Sequence, residues 1–236
     1  MRRALQLSHK KMKQLSRNSD EYMTWYVQSC AFLEAANACC GQLIRDTYEE
    51  YNGYEIHAEG DSFQLAFTSV ASALRFCVEV QQKFLEFKWS PEVLRLPSCS
   101  VVKEGNGKEV IFRGPRVRMG VHWARKNLIV NRVHSFTKHR IFEGPAFETA
   151  KELSDIAWGG QILMSHDAWT NFDNDFPKAG FPTIELLCSA KLETCPECML
   201  IYNVTQRVGK RLIRSFPYLR KLDYVAPPKR GIPWSD

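Results

Sequence analysis

The stretch "YEIHAEGDSFQLAF", residues 54–67, is the feature that most limits what this chain can fold into. Apolar residues alternate with polar ones on both sides of the dipeptide Gly60-Asp61. A two-residue loop that begins with glycine is typical of a type II′ turn, because its first position needs a positive φ. The pattern predicts a β-hairpin with strands at 55–58 and 62–67. The aspartate at its corner either favours the turn conformation or binds a ligand through its carboxylate.

The segments around the hairpin predict an α+β domain. Apolar residues at helical spacing predict one helix at 27–50 and another that begins after Thr68 or Ser69 and ends by Pro91. A third helix begins at Pro145, which suits a first helical turn. The remaining pattern predicts an irregular segment at 92–112, a loop up to about residue 140, and strands in "RVRMGVHWA", in "QILMS" and around residues 184–193 and 198–205. The order is compatible with a mainly antiparallel sheet and a ferredoxin-like core.

Composition excludes several classes of protein. The 236-residue chain has 44% hydrophobic and 25% charged residues and a net charge of +6, as in an ordinary soluble globular protein. No apolar run approaches the roughly 18–20 residues that span a bilayer, and no secretory signal is recognisable. We therefore expect a cytoplasmic protein without a membrane span.

The chain has eight cysteines, which we expect to be reduced in that setting. Cys195 and Cys198 form a CxxC pair, the spacing of half a zinc site or of a redox pair. No second CxxC completes the zinc site, and no βαβ context supports redox chemistry. The pair is interpreted as structural.

Four blocks of the sequence, in this order, resemble a known family: "YNGYEIHAEGDSFQLAF", "ALRFCVEVQ", "FRGPRVRMGVHW" and "EGPAFETAKELSDIAWGGQILMS". They are similar to the class III nucleotidyl cyclase catalytic domain, especially the adenylate cyclases of fungi and trypanosomatids. The resemblance implies a ferredoxin-like cyclase domain at 27–206, with an antiparallel sheet flanked by helices. The family's first strand is not recognisable. A basic lead-in at 1–26 and a basic tail at 207–236 complete the predicted organisation.

The resemblance implies two-metal phosphoryl transfer. The 3′-hydroxyl of ATP or GTP attacks its own α-phosphate and releases pyrophosphate, with Mg²⁺ or Mn²⁺ neutralising the developing charge. The site is shared across a homodimer, or a heterodimer with another cyclase domain. One protomer supplies two metal-binding aspartates, and the other supplies purine-reading and transition-state residues.

Some family positions are kept and others are changed. Asp61 matches the metal-binding, catalytic aspartate at the hairpin corner, and a carboxylate there suits Mg²⁺ or Mn²⁺. Gly60 and Ser62 flank it at nucleotide-binding positions. His57 replaces the purine-reading lysine, and its ring can still donate a hydrogen bond. Ile141 occupies the second purine-reading position and cannot hydrogen-bond a base edge.

Three further positions depart from the family pattern. Glu148 and Glu152 replace the asparagine and the arginine that serve the transition state, so carboxylates stand where donors are needed. A structural alternative places Glu148 beside Lys151 on an exposed helix face. Asp20 is in rough register with the first metal aspartate, but its flanks lack an apolar strand.

Two functions remain open from the sequence. The first is a cyclase homology domain in cyclic-nucleotide signalling, with slow turnover or turnover that depends on a complementing partner. The alternative is a catalytically inactive module that dimerises and regulates a partner. We expect no nucleic-acid partner, because no strand carries the aromatic pattern of an RNA-binding ferredoxin-like domain.

Overall fold

The computed structural model describes residues 20–104, 107, 109–125, 129–133, 135–136, 140–172, 182–205, 207–208, 211–212, 216 and 219. They divide into two compact units. The first contains the described residues of Met1–Thr68 and Ser72–Val117, and the second contains those of Ser69–Ala71 and Arg118–Asp236. Each unit is described by itself below.

Helices and strands alternate along the chain. The helices are α1 (Asp20–Glu50), α2 (Val70–Glu86), α3 (Pro91–Arg95), α4 (Pro145–Ile156) and α5 (His166–Thr170). The strands are β1 (Tyr54–Glu59), β2 (Ser62–Ala66), β3 (Val102–Lys103), β4 (Val110–Phe112), β5 (Met119–Val121), β6 (Val130–Val133), β7 (Arg140–Glu143), β8 (Ile162–Ser165), β9 (Thr183–Leu192), β10 (Cys195–Thr205), β11 (Arg207–Val208) and β12 (Arg211–Leu212). Among the described strand pairs only β5–β8 is parallel, so the mainly antiparallel α+β prediction is confirmed.

In the first unit, the end of α1 sets the entry to the β1–β2 hairpin. Asn52 has a left-handed φ of 54°, and the N–H of Gly53 donates to Tyr48 O over 2.7 Å. This is the bond pattern of a Schellman C-cap. A Cβ on Gly53 would lie 2.7 Å from the Phe67 ring. Glycine at this position therefore lets the end of α1 pack closely against Phe67, the residue that follows β2. The sequence predicted Gly53 as the stop, whereas Asn52 takes the left-handed conformation.

Polar and cation–π contacts hold the hairpin against α1. Arg45 Nε donates to Glu55 Oε2 over 3.0 Å, and Tyr48 Oη donates to the same oxygen over 3.3 Å. The Arg45 guanidinium also lies 5.0 Å from the centroid of the Phe63 ring, a distance at which a cation is attracted to the ring face. One arginine therefore joins both strands to the helix.

The second unit is built on a four-stranded sheet in the order β5-β8-β10-β9. Helix α4 lies against β5 so closely that a Cβ on Gly120 would be 2.2 Å from Ala150 O. Leu153 projects from α4 into a buried apolar cluster. The cluster contains Leu153, Ala157, Leu163, Cys188, Ala190, Leu192, Met199, Ile201 and Leu219. The helix and the β9–β10 hairpin therefore share one core.

Several predicted elements are confirmed and others are corrected. The hairpin, α4, β8, β9 and β10 lie where the sequence placed them. The first helix begins at Asp20 rather than residue 27, since the intervening residues include no glycine or proline to stop it. The predicted irregular segment at 92–112 is wrong, because it holds the end of α3 and the β3–β4 hairpin. The predicted loop before residue 140 contains β6, which pairs with β7.

The ends of the chain are only partly covered. Residues 1–19 of the predicted basic lead-in lie outside the described residues, as does most of the predicted tail at 207–236. The boundaries at 26/27 and 206/207 therefore stay predictions. Within the described part of the chain, none of the helices has the length and apolar character needed to cross a membrane.

Candidate functional site

The corner of the β1–β2 hairpin presents a carboxylate to solvent. Glu59 pairs with Ser62, which leaves Gly60 and Asp61 as the loop. Gly60 has a φ of 61°, and among the described non-glycine residues Asn52 alone has a positive φ, so Asp61 does not. This sign pattern is the one that a type II′ turn requires, which confirms the predicted turn. Asp61 and Ser62 are both exposed.

The charge of Asp61 affects the titration of Cys40, a buried cysteine of α1. Burial, and secondarily the charges of Cys99, Cys39 and Asp61, raise the pKa of the Cys40 thiol to about 12. Cys40 is 8% exposed and stays protonated at neutral pH.

His57, at the position of the purine-reading lysine, lies on the exposed side of β1. Its side chain is 61% exposed, and Nε2 lies 3.9 Å from Glu59 Oε2. A pair this open and this long contributes little stability. The His57 ring is thus exposed to solvent with the Glu59 carboxylate beside it.

In the second unit, Ile141 lies on β7, where its backbone pairs with Arg132 of β6. Glu148 lies in the first turn of α4. Its side chain is exposed, and so is Lys151. The structure therefore places Glu148 at the helix surface, and its assignment as a degenerate transition-state position remains a prediction.

Glu152, one turn further along α4, has three hydrogen-bond donors. Its Oε1 accepts from the backbone N–H of Glu193 over 2.6 Å. Its Oε2 accepts from the Thr194 N–H over 3.1 Å and from Thr194 Oγ1 over 2.8 Å. The carboxylate at the arginine position is thus committed to the loop between β9 and β10. Sequence reasoning missed this partner, because 41 residues separate Glu152 from Glu193 and neither is in a recognisable motif.

Asp20, the candidate for the first metal aspartate, is the first residue of α1. The family places that aspartate on a strand, and no strand precedes β1 in the described residues. No group of three or more described His, Cys, Asp or Glu residues is arranged to hold a metal ion. The donors present thus fit one ligand of Mg²⁺ or Mn²⁺ at Asp61, and they do not fit a complete two-metal site.

The CxxC pair lies on β10, next to the loop that Glu152 contacts. Cys195 pairs with Leu192, Cys198 pairs with Lys191, and a bulge lies between the two cysteines. Cys195 packs against the apolar cluster and Cys198 is exposed. This placement supports the structural interpretation, since the two thiols have different surroundings.

Another polar contact in the second unit escaped the sequence analysis. His122 follows β5, and its Nδ1 lies 2.9 Å from Ser165 Oγ. Ser165 Oγ also accepts from the Ala168 N–H and so caps α5. Burial lowers the pKa of His122 below its ordinary value, while the charge of Asp167 opposes the shift. Burial therefore favours the neutral form of the His122 ring.

Known proteins resemble the chain at the level of sequence. No family model matches it. It is 34% identical over 140 residues to an adenylate cyclase of Lachancea kluyveri, a match that covers 59% of this chain and 7% of that protein. It is 39% identical over 125 residues to an adenylate cyclase of Mycosarcoma maydis, covering 53% of this chain and 5% of that one. The chain thus spans less than a tenth of the length of these relatives.

Solved structures resemble the fold. Two structures of Trypanosoma brucei adenylate cyclases in their monomeric state each superpose with a TM-score of 0.67. Their sequences are 21% and 24% identical to this chain. The superpositions cover 88% and 85% of this chain and 92% and 90% of the Trypanosoma brucei chains. The adenylyl cyclase CyaB of P. aeruginosa superposes with a TM-score of 0.54 at 11% identity, covering 86% of this chain and 90% of that one. At these identities the likeness concerns the fold.

Proposed function

We propose that this chain, which is a class III nucleotidyl cyclase homology domain, acts in cyclic-nucleotide signalling as one half of a shared catalytic site. Its own conversion of nucleoside triphosphate to cyclic nucleotide and pyrophosphate is slow or depends on a complementing partner. The observations that carry this proposal are the exposed carboxylate of Asp61 at a glycine-led corner and the hydrogen bonds that Glu152 accepts from the β9–β10 loop.

The chain's contribution to such a site is the hairpin corner. Asp61 would supply one ligand to Mg²⁺ or Mn²⁺, and Gly60 and Ser62 would lie beside the phosphates of ATP or GTP. A bound divalent ion would neutralise charge on the triphosphate and on the leaving pyrophosphate. Because Mg²⁺ bound by one or two carboxylates keeps several of its waters, Asp61 alone would hold it weakly. We expect these events in the cytoplasm.

A homodimer would lack the opposite half of the site. Glu148 and Glu152 stand at the asparagine and arginine positions, and a carboxylate repels the negative charge that gathers on the transferring phosphate. Loss of one preorganised donor costs on the order of 10²–10³ in rate, and here two donors are replaced by anions. A heterodimer avoids this cost when the partner supplies the lysine, aspartate, asparagine and arginine.

The test is a cyclase assay of purified protein with Mn²⁺ and either ATP or GTP. The protein is measured alone and mixed with a cyclase domain that keeps the purine-reading and transition-state residues but has its own metal aspartates replaced by alanine. We expect no turnover from either chain alone and measurable cyclic nucleotide from the mixture. Asp61→Ala in this chain should abolish the product of the mixture, whereas Glu148→Gln should leave it unchanged, since in this pairing Glu148 lies in the other site.

The second candidate function is a catalytically inactive module that dimerises and regulates a partner. The three hydrogen bonds on Glu152 favour it, because they give the altered position a structural role that activity does not require. A mixture that forms a stable heterodimer by analytical ultracentrifugation, yet makes no cyclic nucleotide, would support this function and exclude the first.

A further inference from the structure

The two-residue loop between β9 and β10 directs all of its nearby donors at one carboxylate. The N–H groups of Glu193 and Thr194 lie 2.6 and 3.1 Å from the two oxygens of Glu152, and the Thr194 hydroxyl donates over 2.8 Å. Successive backbone N–H groups that converge in a turn form an anion-binding concavity. Hydrogen bonds to an ionised acceptor are roughly twice as strong as neutral ones. The loop therefore has the chemistry of a small carboxylate site.

We propose that the Glu193–Thr194 loop is a carboxylate-binding site whose resident ligand is Glu152 of the same chain. In this role Glu152 is a positioning residue, and the contact is a latch that fixes the β9–β10 hairpin to α4. The proposal goes beyond the proposed function, because it holds whether or not the chain turns over nucleotide.

The residues around the latch keep both partners in place. Thr149, one turn before Glu152, has its Oγ1 3.1 Å from Thr194 Oγ1, so a second α4 side chain reaches the same loop. Leu153, next to Glu152, and Leu192, next to Glu193, belong to one buried cluster. The apolar core thus brings the helix and the loop together, and the polar latch occupies its edge.

The latch has a consequence for the altered site. A side chain at position 152 that turned toward a nucleotide would leave two backbone N–H groups and a hydroxyl without their acceptor. The Glu193 N–H is exposed and water can replace its acceptor, whereas the two Thr194 donors are part-buried. A part-buried donor left unsatisfied costs more than an ordinary hydrogen bond contributes. The Glu152 carboxylate therefore has a structural role, because it is held by the donors of the β9–β10 loop.

The test is amide hydrogen exchange in the full chain, read at Glu193 and Thr194 by NMR. In Glu152→Ala we expect exchange at both amides to accelerate by roughly tenfold or more and the Tm to fall by about 3–10 °C. The matched control is Glu148→Ala, which removes an exposed carboxylate from the same helix. It should leave both amides and the Tm as in the unsubstituted chain.

Rescue by a free anion separates a binding site from a general loss of packing. Sodium formate should slow exchange at both amides in Glu152→Ala, whereas sodium chloride at equal ionic strength should not. Adding Thr194→Val to that variant should weaken the rescue, since one donor is lost. The proposal is overturned if formate has no effect, or if the two amides exchange equally fast with and without the Glu152 carboxylate.

A conservative variant covers the case in which Glu152→Ala does not fold. Glu152→Gln keeps one acceptor oxygen and removes the charge, so exchange should accelerate at the amide that loses its oxygen and less at the other. Exchange unchanged from the unsubstituted chain at both amides would contradict the latch.

Discussion

At the scale of single residues, two carboxylates at positions predicted for the site have different surroundings. Glu152 accepts three hydrogen bonds from a hairpin loop, whereas Asp61 stays exposed at a turn that needs glycine before it. The first residue serves the stability of the second unit. The second occupies a turn position that suits small polar residues in general.

Restoring the family's arginine at this position should not restore activity by itself. Glu152→Arg removes the acceptor of three donors and places a cation beside two N–H groups. We expect a loss of about 1–3 kcal/mol in the free energy of unfolding and no gain in cyclic-nucleotide production. The measurements are urea denaturation and the Mn²⁺-dependent assay. An arginine variant that is active and as stable as the original chain would contradict the structural role of Glu152.

His122 gives the chain a dependence on pH. Burial lowers its pKa below 6.5, so the unfolded chain binds this proton more readily than the folded one. The free energy of unfolding is therefore highest above pH 6.5 and falls as the pH drops toward the folded pKa. Urea denaturation between pH 5 and 8 should show this loss. His122→Asn should flatten the curve, while substitution of the exposed His57 by Gln should not change it.

At the scale of elements, glycines decide how closely neighbours approach. Gly53 lets the end of α1 sit on β2, and Gly120 lets β5 touch α4. The sequence identified Gly53 as a helix stop from its position after a periodic segment. Gly120 lies inside a predicted strand, where a glycine indicates close approach of another backbone without saying which one.

Two glycine-to-alanine substitutions should act in opposite directions. In Gly120→Ala the new Cβ would meet Ala150 O at 2.2 Å and Ser154 N at 2.7 Å, both backbone atoms of α4. We expect a loss of about 1–3 kcal/mol or more. In Gly41→Ala, within α1, the nearest atoms are at 3.4 and 3.5 Å. There we expect a gain of about 0.5–1 kcal/mol, since alanine favours helix. Thermal denaturation measures both.

At the scale of the whole molecule, the proposed function depends on what a second protomer adds. The resemblance to class III cyclases predicts that Asp61 stands at the metal-binding corner and that Glu148 and Glu152 stand at transition-state positions. A site that uses Asp61 would take its purine-reading groups from the partner. The residues His57 and Ile141 would then have no part in base selection at that site.

The nucleotide preference of a complemented heterodimer should therefore follow the partner. When this chain is paired with an adenylate cyclase domain, the heterodimer should turn over ATP. When it is paired with a guanylate cyclase domain, the heterodimer should turn over GTP. His57→Lys in this chain should leave the preference unchanged. Competition assays with both nucleotides measure the ratio. A preference that stays the same with both partners would show that this chain reads the base.

The sequence by itself determined the local features. Turn chemistry at Gly60-Asp61, alternation in β1 and β2, and helical periodicity in α4 depend on neighbours a few residues apart, and the structure confirms them. The four blocks also predicted a resemblance to class III nucleotidyl cyclases, and the similarity to fungal adenylate cyclases agrees with it. The early start of α1 and the β6–β7 hairpin were missed, since their signals are weak over short segments.

The tertiary structure decided what Glu152 does. Its partners lie 41 and 42 residues away, and only the packing of α4 on the β9–β10 hairpin brings them to its carboxylate. A carboxylate forms hydrogen bonds with the donors that come within about 3 Å of it. The sequence shows which residues carry donors, but not which of these donors come that close to Glu152. The resemblance predicts an arginine where the sequence has Glu152. The fold shows that the carboxylate of this glutamate accepts hydrogen bonds from the β9–β10 loop.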